Sequence, residues 1–244
     1  MSTWQRQPVS KYSNSCIYLR PYLYISTEKR LYPDIVAEQI GQPDLVNLIQ
    51  HFLSDQCRLD SDSDTTLSSS DIQDFHEMIR MSTSAVATFY APSDISGIGG
   101  MRYERIHAVD TWRNGPGRYD CVFVSTDSAA EGMRGFDIAR VKLLFSFKHE
   151  GTMYPCTLVH WYSHVDDSPN EDTGMWVVEP DRGEDGAPFA SVIHLDTIFR
   201  AAHLIPVYGD EFVPTHLPFT QTLDAFRTYY VNKYIDHHAF EITF

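Results

Sequence analysis

Acidic side chains are the commonest reactive groups in this sequence, with 33 Asp and Glu against 19 Lys and Arg. Two or three carboxylates fixed in one cleft can hold Mg or Mn and direct a water at a phosphodiester. Only acids on rigid elements can be held that firmly. Asp120 in YDCVFVS, Asp137 in GFDIARV and Asp196 in IHLDTIF flank runs that read as strands, and they are the candidates for such a site. A strand-end Asp also serves as a turn residue, so the same positions fit a purely structural role.

Other chemistries find less support. His160 and His164 in HWYSH lie four apart, but on a strand that spacing separates them by roughly 13 Å, too far to share a metal. His237 and His238 are adjacent and point to different sides of a helix. Cys16, Cys57, Cys121 and Cys156 form no Cys-x-x-Cys pair, which removes the zinc-ribbon and disulfide-framework classes. No Gly-x-Ser-x-Gly elbow is present. No metal or cofactor is expected.

The glycine-rich loop SGIGGMRYER is the last candidate. A P-loop needs Lys then Ser or Thr after its last glycine, and here Met101 and Arg102 follow Gly100. A dinucleotide fingerprint needs a further glycine where Arg102 stands. Gly97, Gly99 and Gly100 therefore read as a sharp turn with freedom for positive φ, or as an anion-contacting loop completed by Arg102, Arg105 and Arg113. Arg102, Arg105, Arg113 and Arg118 against Glu104 and Asp110 leave a local charge of +2, enough to touch a phosphate backbone and too little for tight binding.

The elements that must position these residues follow from composition and period. A chain of 244 residues with 43% hydrophobic content can bury a substantial core. The formal charge of −14 is concentrated in two acid runs, Asp55–Glu77 and Val165–Asp185, with local sums of −6 and −7. Such runs read as solvated loops or as an acidic docking surface, and the rest of the chain is close to neutral. The start, MSTWQRQPVS, lacks the apolar run of a signal peptide, and no stretch is apolar for the eighteen or so residues of a membrane span. An intracellular protein without a membrane partner is expected.

Residues 1–57 read as a mainly helical segment, with an extended stretch around SCIYLRPYLYIS and two helices broken at Gly41 and Pro43. The Ser/Asp-rich run 58–71 reads as a linker. Residues 72–244 read as a β-rich domain that opens with a helical turn in DIQDFHEMIRM. In ARVKLLFSFKHE the alternation predicts one dry face through Val141, Leu143, Phe145 and Phe147 and one mostly wet face, with a hairpin at Gly151. SVIHLDTIFRAAHLIPVYG predicts a strand and a helical turn before Pro206, and TLDAFRTYYVNKYIDHHAF a closing helix capped by Thr222 or Asp224. Short strands without regular strand–helix alternation predict an α+β fold, a small antiparallel β-barrel or curled sheet flanked by helices.

Several stretches in order carry a resemblance: SAVATFYAPSDISGIGGMRYERIHAVDTW, IARVKLLFSFKHEGTMYPCTLVHWYS, EDTGMWVVEPD, SVIHLDTIFRAAHLIPVYG and FRTYYVNKYIDHHAFE. From Ser84 onward the chain resembles the C-terminal region of Plavaka-type transposon proteins of fungi, relatives of the Kyakuja-Dileera-Zisupton group. The resemblance implies the tail of a transposase, in a nuclear, DNA-related setting. In that family the catalytic RNase-H-like core with three acids lies upstream, and 244 residues from Met1 leave no room for it. The expected function is a non-catalytic interaction module for DNA, chromatin or protein. The alternative is a metal-dependent nucleic-acid hydrolase using Asp120, Asp137 and Asp196.

Overall fold

The computed structural model describes residues 22–24, 29–60, 75–94, 97–209, 212–213 and 215–244. Its spine is a long hairpin of β8 (Phe136–His149) and β9 (Thr152–His164). Glu150 and Gly151 close it with φ of 47° and 86°, the positive pair that matches a tight hairpin turn to the twist of its strands. Each spine strand is longer than any strand on its outer flank and serves two of them. β7 (Cys121–Ser125) pairs with the start of β8, and β3 (Ile79–Ser82) with its later part. β11 (Ala190–His194) and β10 (Val177–Pro180) divide β9 in the same way. Beyond these lie β12 (Ile198–Ala202) on β7, β2 (Lys29–Leu31) on β3, and β14 (Tyr229–Val231) then β13 (Leu204–Pro206) on β10.

A second antiparallel sheet is built from β1 (Tyr22–Tyr24), β4 (Ser84–Tyr90), β5 (Met101–Val109) and β6 (Arg118–Tyr119). Two strands pass from one sheet into the other. β3 becomes β4 at Thr83, and β6 becomes β7 at Asp120. Bends of this kind are how orthogonal sheets turn a corner, and here they curl the whole into a half-barrel around Ala85, Ile106, Val122, Val141, Val159 and Trp161. The fold is α+β with a curled antiparallel sheet.

The opposite face of the spine is covered at both ends. At one end α1 (Pro33–Ile40) and α2 (Leu45–Asp60) lay Val36, Leu45, Ile49 and Phe52 onto Phe145, Phe147 and Leu158. The α1 start has Pro33 in its first turn, and its stop is Gly41 in the left-handed region with its N–H on the Ala37 and Glu38 carbonyls. At the other end Phe123, Ile138, Tyr162 and Val178 are covered by Tyr229, Val231 and the C-terminal segment. That segment ends in α4 (His237–Ile242), capped by the Asp236 carboxylate accepting from the Ala239 N–H. Gly132, with φ of 62°, lets it dock: a Cβ there would meet the Phe244 carbonyl oxygen at 2.1 Å.

Several expectations are corrected. The expected wet face of β8 is wet only in part, since Leu144 is fully buried in the half-barrel core and Ser146 nearly buried, whereas Arg140 and Lys142 are half-buried and Lys148 is exposed. Its supposed dry face is split, because a register shift between Val141 and Leu143 sends Val141 into the half-barrel core and Leu143 under the helices. Within DIQDFHEMIRM, residues 71–74 lie outside the described residues, Phe75–Met78 is irregular, and Ile79–Ser82 is strand, paired with β8 rather than helical. No helix precedes Pro206; Leu195–Thr197 is a single 3-10 turn between strands. The closing helix is three pieces: α3 (Thr222–Ala225), β14 and α4. The boundary at 57 falls inside α2, whose core is shared with the β-rich part; residues 61–71 of the expected linker lie outside the described residues, as does the extended stretch before Pro21.

Candidate functional site

The second corner brings charge together. The Asp120 N–H donates to the His107 carbonyl and its own carbonyl accepts from the Val141 N–H, which ties β5 to β8 through one residue. Its side chain is bonded as fully as its backbone. Oδ2 accepts from the His107 N–H at 2.9 Å and lies 3.1 Å from His107 Nδ1, while Arg118 Nε donates to Oδ1 at 2.8 Å. His107 in turn meets the Trp112 ring edge-on at 4.3 Å.

Trp112 opens the β5–β6 turn. The turn is closed by the Gly115 N–H on the Trp112 carbonyl at 2.9 Å, and its two central residues, Arg113 and Asn114, have φ of 51° and 61°. Asn tolerates that conformation and a long side chain such as Arg resists it. The Arg113 and Arg118 guanidinium carbons stand 5.4 and 5.2 Å from the Trp112 ring centroid. Arg118 is bound to Asp120, whereas Arg113 is exposed and has no carboxylate within 4.0 Å among the described residues.

Beside this corner lies a cleft of about 230 Å³, below the usual range for a drug-sized ligand. Its floor is a buried ionic cluster centred on Arg200, which is 2% exposed. Arg200 binds Asp236 through both Nη atoms, at 2.9 and 2.6 Å, and Nη2 donates to Glu104 Oε1 at 2.5 Å. Glu104 Oε2 accepts from the Ala201 N–H at 3.0 Å, so this side chain joins β5 to β12 where no backbone ladder does. Arg200 Nη1 also lies 3.1 Å from His238 Nδ1, and its guanidinium covers the Phe89 ring at 4.7 Å.

Burial sets the protonation chemistry here. It pushes the Glu104 carboxyl above its ordinary range despite the opposing pull of Arg200 and the Ala201 N–H. It works against the Asp236 carboxylate too, but the Arg200 bonds and the Ala239 N–H outweigh it and hold that group at about 2. His238 is lowered by burial and by Arg200, which suits a neutral ring accepting from the guanidinium. Each of the three acids lining the cleft, Glu104, Asp120 and Asp236, is bound by a cation and by a backbone N–H. Cys121, at its edge, is buried with its thiol pushed up to about 12, too high for a nucleophile at neutral pH.

The three candidate acids do not converge. Asp120 precedes β7 while Asp137 pairs with Val124, four residues further along it, a span of roughly 13 Å. Asp196 is half exposed in the turn before β12 and gives its N–H to His194 Nδ1. Among the described residues no group of three or more His, Cys, Asp or Glu side chains could hold a metal ion. In the glycine loop, Gly99 and Gly100 have φ of 62° and 76°, while Gly97 stays out of the left-handed region. Arg102 pairs with Asp94 at 3.0 Å, closing the loop on itself, and Arg105 gives Nη1 to the Ser84 hydroxyl. Of the expected anion-contacting arginines, Arg113 is the one presented at a turn tip.

The Arg200 cluster was not legible in the sequence because Glu104 and Asp236 lie 96 and 36 residues from it. A charged residue inside the apolar run IFRAA was the one signal present. No protein-family model matches the chain, and no curated protein or solved structure matches it.

Proposed function

We propose that this chain is a non-catalytic interaction module that touches a nucleic-acid backbone through the β5–β6 turn, as the C-terminal part of a Plavaka-type transposon protein would in the nucleus. The observation that carries this reading is Arg113. It occupies a backbone conformation that costs a long side chain about 1 kcal/mol or more, at an exposed tip, without an acid to pair with among the described residues. Of the neighbouring acids, Glu104, Asp120 and Asp236 are held by cations, and Asp110 accepts from the Tyr119 hydroxyl. An unpaired guanidinium beside acids held apart in this way suits gripping a phosphate better than cutting one. No helix among the described residues is long and apolar enough to cross a membrane.

The grip is weak by construction. A charge of −14 repels a polyanion, so contact must be local and involve one or two phosphates. Titrating the full chain against a labelled duplex across 50 to 200 mM salt, about the range over which phosphate contacts weaken, should give a log–log slope between about −1 and −2. Arg113→Ala should reduce that slope by about 1. An affinity indifferent to salt, or an unchanged slope in the variant, would overturn the reading.

A further inference from the structure

The apolar residues under the two covers on the outer face of the spine form separate clusters. Between them one row of paired residues crosses the sheet, Cys121 beside Arg140 beside His160. The bulge adds Lys142 to the same place. Extending the pairing of Cys121 with Arg140 by two residues sets Tyr119 opposite Lys142, and the ring distances agree: Lys142 Nζ lies 4.3 Å and the Arg140 guanidinium carbon 5.9 Å from the Tyr119 centroid.

Two cations and an imidazole are thus held half-buried along one row. Their compensation is thin. Arg140 Nη1 donates to Asp224 Oδ1 at 2.6 Å, but that carboxylate stands on the four-residue α3 and is 62% exposed. Arg140 Nε is buried and without a hydrogen-bond partner, and Lys142 has no carboxylate within 4.0 Å among the described residues. Asp110 faces the row from the far side, where it accepts from the Tyr119 hydroxyl. Burial first, then Lys142 and Arg140, lower His160 to about 4, and burial and Arg140 lower Lys142.

We propose that Arg140, Lys142 and His160 form a binding site for a single phosphate group, in which Asp224 occupies Arg140 until the phosphate displaces it. A dianion there supplies the charge the cluster lacks, and Arg140 and Lys142 supply a fork and a point charge for its oxygens. The site is distinct from the β5–β6 turn, and its test uses no nucleic acid.

The test follows the His160 ring resonances of the full chain while inorganic phosphate is added, against sodium chloride at equal ionic strength. The expected result is a saturable shift with phosphate alone and an upward move of the His160 titration, because a nearby anion favours imidazolium. Asp224→Ala should tighten phosphate binding by about fivefold or more, and Lys142→Gln should weaken it by a similar factor, the tenfold-per-1.4 kcal/mol scale of one charge-assisted contact. Opposite effects of two neighbouring variants separate binding from a loss of folding. The proposal is overturned if phosphate and chloride act alike, if Asp224→Ala binds no more tightly than the parent, or if Lys142→Gln binds equally well.

Discussion

Arg200 ties distant parts of the chain together through one side chain. Its guanidinium holds β12 to β5 through Glu104 and anchors the start of α4 through Asp236. Removing one partner from a buried ion cluster strands the others, at a cost of about 3–5 kcal/mol. Arg200→Met should therefore lower the urea midpoint at pH 7 sharply while leaving Glu104 and Asp236 facing one another. The pH dependence gives a second readout of the same variant. Asp236 is held at about 2 against an ordinary value of 3.8, so its pairing stabilises the native state above pH 3.8, and that contribution is lost as pH falls through 2. The loss of stability over that interval should flatten in Arg200→Met. An undiminished acid limb would mean that the Ala239 N–H, rather than Arg200, sets the carboxyl.

At the level of elements, the proposed contact through the β5–β6 turn would set stability against binding. Arg113 in the left-handed region is a strained choice where glycine is free. Arg113→Gly should raise unfolding stability by up to about 1 kcal/mol while weakening duplex binding, the trade expected where strain serves contact. A variant that gains no stability would show that the turn bears no strain. The elements themselves were unequally legible. The β8–β9 hairpin announced itself through the alternation of Leu143, Phe145 and Phe147 and through Glu150-Gly151 between the strands, while Val141, read as part of that face, lies across the bulge on the other. α1 and α2 announced themselves through Leu45, Leu48, Ile49 and Phe52 and through Gly41. β3 and β12–β14 did not, because three to five residues carry too little period to outvote helical propensity, and their pairing is decided by partners distant in the chain. The bulge at Lys142 left no trace in the pattern, and with it went the proposed phosphate site. Asp120 was legible as a strand-end acid, but its bonds to His107, Arg118 and Val141 required the corner to be seen.

The whole molecule is a curled sheet between two covers, with both sheets joined at Thr83 and Asp120 and its helices sharing the spine's core. In the second acid run Asp166, Asp167, Glu171, Asp172, Glu184 and Asp185 lie on exposed loops. On the proposed reading such a molecule would hold a polyanion locally, and among its described residues no group of three or more His, Cys, Asp or Glu side chains could hold a metal ion. The most direct measurement is a time course of a labelled duplex incubated with excess full chain and Mn, at low salt, read for both bound and shortened DNA. The expected result is retarded duplex of unchanged length. Shortened products that vanish in Asp120→Ala or Asp137→Ala would contradict it.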